Sequence, residues 1–101
     1  MQTLQVIFKK LQGEVVAIFP FEQWNGSTLV SYMHNGQHSG FDAHLAYQCP
    51  NATKEEYAPL LAELKSIYND IELEVLNRMP PMQKVLNTLL QATFGMTLKQ
   101  N

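Results

Sequence analysis

Charge is what this chain has least of. Only 16% of its 101 residues are Asp, Glu, Lys or Arg, against roughly 25% in an average soluble domain. Nine Gln and seven Asn equal those sixteen charges in number. Seven cations against nine anions leave a net charge of −2. That balance lacks the basic face needed to neutralise phosphates, so nucleic acid is not an expected partner. Cysteine is nearly missing too: Cys49 alone builds no disulfide framework, and a cytoplasmic location is expected. No run approaches the ~20 apolar residues that span a bilayer. Met1-Gln2-Thr3-Leu4-Gln5 has neither the basic stretch nor the apolar run of a secretory leader. Linker-like runs and internal repeats are absent as well. What is present is 46% hydrophobic residues, enough to exclude disorder and to fill the core of a single domain.

Leu4, Val6 and Phe8 alternate with Gln5 and Lys9, which predicts a half-buried strand. Gln12-Gly13 supplies a turn, and Glu14 to Phe19 is so continuously apolar that it reads as a central strand ended by Pro20. After a loop to Gly26, Thr28 to His34 reads as a third strand. Asn35-Gly36 then opens a loop reaching Gly40. Phe41, Ala43, Leu45 and Tyr47 alternate with polar neighbours, so Phe41 to Gln48 is expected as a fourth strand paired with the third. Thr53-Lys54-Glu55-Glu56 is a capping box, followed by Tyr57, Leu60, Leu61, Leu64, Ile67 and Tyr68 at helical spacing. Pro59 should cost that helix one hydrogen bond. Ile71, Leu73 and Val75 alternate as a fifth strand. Pro80-Pro81 introduces a last helix with Gly95 as a left-handed C-cap. The expected fold is α+β in two layers, order ββββαβα: a mostly antiparallel sheet of about five strands packed by one helix over residues 1–78. Residues 79–101 form an extra C-terminal helix that packs on this domain or on a second subunit.

All three histidines fall between Tyr32 and His44. In a hairpin of the third and fourth strands, His34 should approach Asp42 and His44, with Gln37 and His38 at the tip. His34-x3-His38 resembles zinc-ligand spacing, but Asn35-Gly36 and Gly40 remove the helix that spacing needs, so neither metal nor cofactor is expected. His38 with Asp42 suggests a small hydrolase or ribonuclease as an alternative. No nucleophile elbow, phosphate-cradling loop or carboxylate pair accompanies them, and no catalytic residue is expected. The preferred reading makes Tyr32, His34, Gln37, His38, Asp42 and His44, with Trp24, a surface for a partner protein or a nucleotide-like molecule. The plain reading of the same residues is a polar hairpin with exposed histidines and a tryptophan capping the core edge. Cys49 reads as a small buried hydrophobe. In the last helix, Met82, Val85, Leu86, Leu89, Leu90 and Phe94 form a wide apolar stripe, a candidate contact for a homodimer or higher oligomer. A structural or assembly protein is the remaining alternative.

Val6-Ile7-Phe8-Lys9, Gly13 to Pro20, Ser31 to His38, Ala52 to Tyr57 and Leu61 to Leu64 together resemble a group of small proteins carried by phages and mobile elements of gut-type bacteria. The Gly36-Gln37-His38 segment is the most distinctive part. The resemblance reaches about Arg78 and leaves the last helix outside. The group has no established activity to carry over, so the resemblance implies a setting. By analogy with small acidic phage proteins, which are often inhibitors of host immunity, that setting implies a protein acting in the host cytoplasm that binds an effector protein or sequesters a nucleotide second messenger.

Overall fold

The computed structural model describes the backbone of residues 2–99 and the side chains of residues 2–91. Five strands form one sheet: β1 (Thr3–Leu11), β2 (Glu14–Asn25), β3 (Thr28–Met33), β4 (Gln37–Asp42) and β5 (Glu72–Val75). Their order is β4-β3-β2-β1-β5, with β1 to β4 antiparallel and β5 parallel to β1. Gln12 (φ 52) and Gly13 (φ 84) are both left-handed, the conformation of a two-residue hairpin turn whose twist matches its strands. The fold is therefore α+β with a mostly antiparallel five-stranded sheet, as the hydrophobic periodicity predicts.

Helices cover both faces of the sheet, so the two-layer expectation is corrected. Helix α2 (Lys54–Ile67) packs Leu60 and Leu64 on Val6, Phe8, Ala17, Phe19 and Tyr32. Its capping box forms as expected, and it runs on past Pro59. Helices α1 (Ala43–Gln48) and α3 (Met82–Lys99) pack Ala43, Ala46, Val85 and Leu89 on Ile7, Val16, Ile18 and Leu29. Burial on both faces explains why Val16 to Phe19 is uninterrupted in apolar character. It also explains Lys9, which lies on the polar side of the β1 alternation yet is only 6% exposed.

Three local expectations are overturned. The fourth strand starts at Gln37 and ends at Asp42, where a strand was expected over 41–48. Beyond it the Asp42 carboxylate accepts the Leu45 N–H (2.9 Å) and opens α1. Ala43, Ala46 and Cys49, three apart, then fill the core. Over six residues a period of two and a period of 3.6 fit almost equally well. Pro20 does not end β2. The pairing Phe19–Val30 is followed by Gln23–Leu29, so Pro20, Phe21 and Glu22 form a bulge left out of the β2–β3 ladder, where the missing N–H of the buried Pro20 costs the ladder nothing. Finally, α3 continues through Gly95.

Candidate functional site

Tyr32 on β3 stands directly opposite His38 on β4, so both rings lie on the α2 side of the sheet, centroids 4.9 Å apart. Helix α2 crosses the same side and supplies two further groups. The Tyr32 hydroxyl donates to Glu63 Oε2, and His34 Nδ1 lies 2.6 Å from Glu63 Oε1. His38 Nε2 lies 2.5 Å from the hydroxyl of Tyr68, the C-cap of α2, whose ring meets Phe19 edge-on. The result is a continuous run of contacts, His34–Glu63–Tyr32–His38–Tyr68–Phe19. The Tyr32 phenol is held above its ordinary value chiefly because it donates to the Glu63 carboxylate. Burial raises Tyr68, with Glu22 adding to the effect. Both hydroxyls thus stay protonated donors at neutral pH.

Trp24 belongs to the same face. A Cβ added at Gly40 would meet Trp24 Cδ1 at 2.6 Å, so the indole lies directly over the Gly40 backbone. Gly40 is two residues from His38 along β4, roughly 7 Å. Trp24 remains 48% exposed. Beside it runs a groove of ≈ 560 Å³ lined by Leu4, Phe19, Glu22, Val30, Tyr68 and Ile71. A second cleft of ≈ 450 Å³ lies beside His34, with Glu14, Asn35 and Glu56 on its polar side and Val15, Met33 and Leu60 on its apolar side. Glu56 is held down at about 2, first by Lys10 (2.7 Å) and then by the Thr53 N–H.

Tyr32, His38 and Trp24 therefore share one face, with His34 at its rim. The other expected residues are elsewhere. Gln37 pairs with Met33 and points to the opposite side. Asp42 is spent on capping α1, and His44 is exposed on that helix. His38 and Asp42 are four residues apart along one strand, roughly 13 Å, and His34 lies at the other end of β4 from Asp42 and His44. The expected His–Asp proximity is not formed; the carboxylate that meets a histidine is Glu63. Among the described residues no three His, Cys, Asp or Glu side chains are placed to hold a metal ion. Glu63 and Tyr68 were missed because their partners lie 31 and 30 residues away in the chain. A signal existed: Glu63 is a carboxylate spaced three from Leu60 and four from Ile67, on the side of the helical stripe.

Chemically, Glu63 orients the His34 ring and leaves Nε2 outermost, the orienting half of a general-base arrangement. Among the described residues, neither groove has a Ser or Cys in its lining, and the only threonine, Thr3, is in the groove away from His34. Among the described residues, Lys and Arg are absent from both linings. The stripe of α3 is divided. Val85 and Leu89 are buried in this chain's own core, Met82 is half-buried, and Leu86 and Leu90 are exposed. The Phe94 side chain lies outside the described residues. No described helix is long and apolar enough to cross a membrane. No protein-family model, curated protein or solved structure matches the chain.

Proposed function

We propose that this is a non-enzymatic binding protein that engages a host protein through the open sheet face beside α2. The setting is the counter-defence role implied by its resemblance to phage and mobile-element proteins. One observation carries the reading: Trp24, the only tryptophan, lies exposed over Gly40 beside the His38–Tyr68 pair. Rigid aromatic anchors flanked by satisfied polar groups are what protein interfaces use as energetic centres. The polar groups here are tied to one another rather than to a nucleophile, which favours binding over hydrolysis. A protein partner is favoured over a nucleotide sponge because, among the described residues, neither of the two grooves on the α2 side carries a cation to meet a phosphate. The hydrolase alternative keeps one observation in its favour, the His34–Glu63 pair.

Affinity capture from host cells tests the reading, with wild type, Trp24→Ala and His38→Ala compared after circular dichroism shows all three folded. A host protein retained by wild type and lost from both variants is expected. Equal capture by all three sinks the reading. Calorimetric titration with cyclic dinucleotides is expected to show no heat of binding. A saturable signal abolished by Trp24→Ala would replace the host protein with a small ligand on the same face.

A further inference from the structure

The outer side of β4 is an open edge, and its orientation follows from the hairpin. The Ala43 N–H donates to the Ser27 carbonyl (3.2 Å), so Ser27 and Ala43 form a hydrogen-bonded pair. Bonded and non-bonded pairs alternate in an antiparallel ladder. With the observed register, Leu29–Phe41 and Ser31–Ser39 bond inward, whereas Thr28–Asp42, Val30–Gly40 and Tyr32–His38 do not. The backbone N–H and C=O groups of His38, Gly40 and Asp42 therefore point away from the sheet. Native edges are blunted by charge, proline, bulges or a covering segment. The end of β1 is covered by the 50–52 segment, through Lys10 N–H to Pro50 O and Ala52 N–H to Phe8 O. The β5 edge carries Glu72 and Glu74. β4 has no Lys, Arg, Glu or Pro and no bulge. The chain leaves it at Ala43 to pack under the sheet.

We propose that a second copy of this chain docks here, β4 against β4 antiparallel, joining two five-stranded sheets into one. With the two-fold axis at Gly40, Gly40 pairs with the partner's Gly40, and His38 faces the partner's Asp42 twice over. His38 and Gly40 present both backbone groups outward and Asp42 its N–H, the Asp42 carbonyl being held as the N-cap of α1, so the central pair closes both hydrogen bonds and each flanking pair closes one. Asp42, the one charge on the strand, meets an imidazole instead of its own copy. His38 has Nδ1 for the contact, since Nε2 is with Tyr68, and Asp42 has Oδ1, since Oδ2 holds Leu45. This self-complementarity is what selects a second copy over an unrelated extended peptide. The pairing also extends the Trp24 face across the axis into a double surface, though it stands without that reading.

Sedimentation velocity and hydrogen exchange on the full chain test it. A dimer is expected in which the His38 and Gly40 amides exchange more slowly as protein concentration rises. Ser39→Lys sets like charges beside the axis and is expected to abolish the dimer. Asp42→Asn retains a helix cap and should weaken the dimer about tenfold, the worth of two cross-strand hydrogen bonds to a carboxylate. A wild-type monomer throughout the micromolar range overturns the proposal. So does a dimer that survives Ser39→Lys but is split by Leu86→Glu on α3. A monomer whose His38 and Gly40 amides are protected only by an added extended peptide also overturns it. Trp24→Ala leaves the edge backbone alone, so failure of host-protein capture and failure of dimerisation are read separately.

Discussion

Gly40 has no side chain, and that absence is what seats Trp24. Alanine there would put a methyl 2.6 Å from Trp24 Cδ1 and 2.8 Å from Thr28 Oγ1. Thr28 is fixed by hydrogen bonds to Asn25, so the indole is the group that yields. Gly40→Ala is expected to red-shift the emission of the single tryptophan at a cost of about 1 kcal/mol. An unshifted spectrum would mean that the indole does not rest there. Glu63 is the other residue on which the site turns, because it accepts from Tyr32 and holds His34. Ionising the Tyr32 phenol would set two anions side by side, and its pKa is raised accordingly. A pKa raised by folding adds stability that is complete below the unfolded value of 10.0. That stability disappears as pH climbs through the raised value. Glu63→Gln removes the cause. The variant should be less stable than wild type at neutral pH, and its alkaline decline should be shallower. Urea midpoints across the alkaline range measure both.

Among the elements, α2 is anchored to β1 by one carboxylate with two duties. Glu56 closes the capping box and binds Lys10, and its pKa falls from 4.5 to about 2. A lowered carboxylate contributes stability that is present above the unfolded value and lost as pH falls toward about 2. Glu56→Gln can still close the box but not the ion pair, so its acid unfolding curve should lose that dependence. Thr53→Ala should cost about 1 kcal/mol at any pH, by removing the cap itself. On α3 the division of the stripe predicts unequal mutants. Leu89→Ala should cost about 2 kcal/mol or more, whereas Leu90→Ala, at a position 56% exposed, should fall within about 0.5 kcal/mol of wild type. Thermal or urea unfolding separates them. The same contrast explains what was legible in the chain. The β1–β2 hairpin, the capping box and β5 were readable because each rests on neighbours in sequence. α1 was not, since its six residues satisfy two periods at once. Half of the candidate site, Tyr32, His38 and Trp24, was readable as chemistry. Its other half, Glu63 and Tyr68, is brought in by the way α2 crosses the sheet, which no local spacing encodes.

For the molecule as a whole, charge is placed rather than merely scarce. Nine of the sixteen charges lie between Lys54 and Arg78, while Trp24 to Thr53 holds one, Asp42. The charge-poor stretch contains Trp24, β3 and the open β4 edge, and the charged stretch is α2 with β5. The parallel partnership of β1 with β5 has a consequence in time. Residues 3–6 bond to residues 72–75, so during synthesis the start of β1 stays bare until β5 has been made. The β1–β4 hairpins need only near neighbours and can close early. A chain stopped after Asp70 is therefore expected to form its hairpins yet associate through the uncovered start of β1. Light scattering would report this, and a peptide spanning residues 71–76 should suppress it. β1 is made before the other four strands of the sheet and is the last to be sealed, an order that leaves the growing sheet sticky along the start of β1.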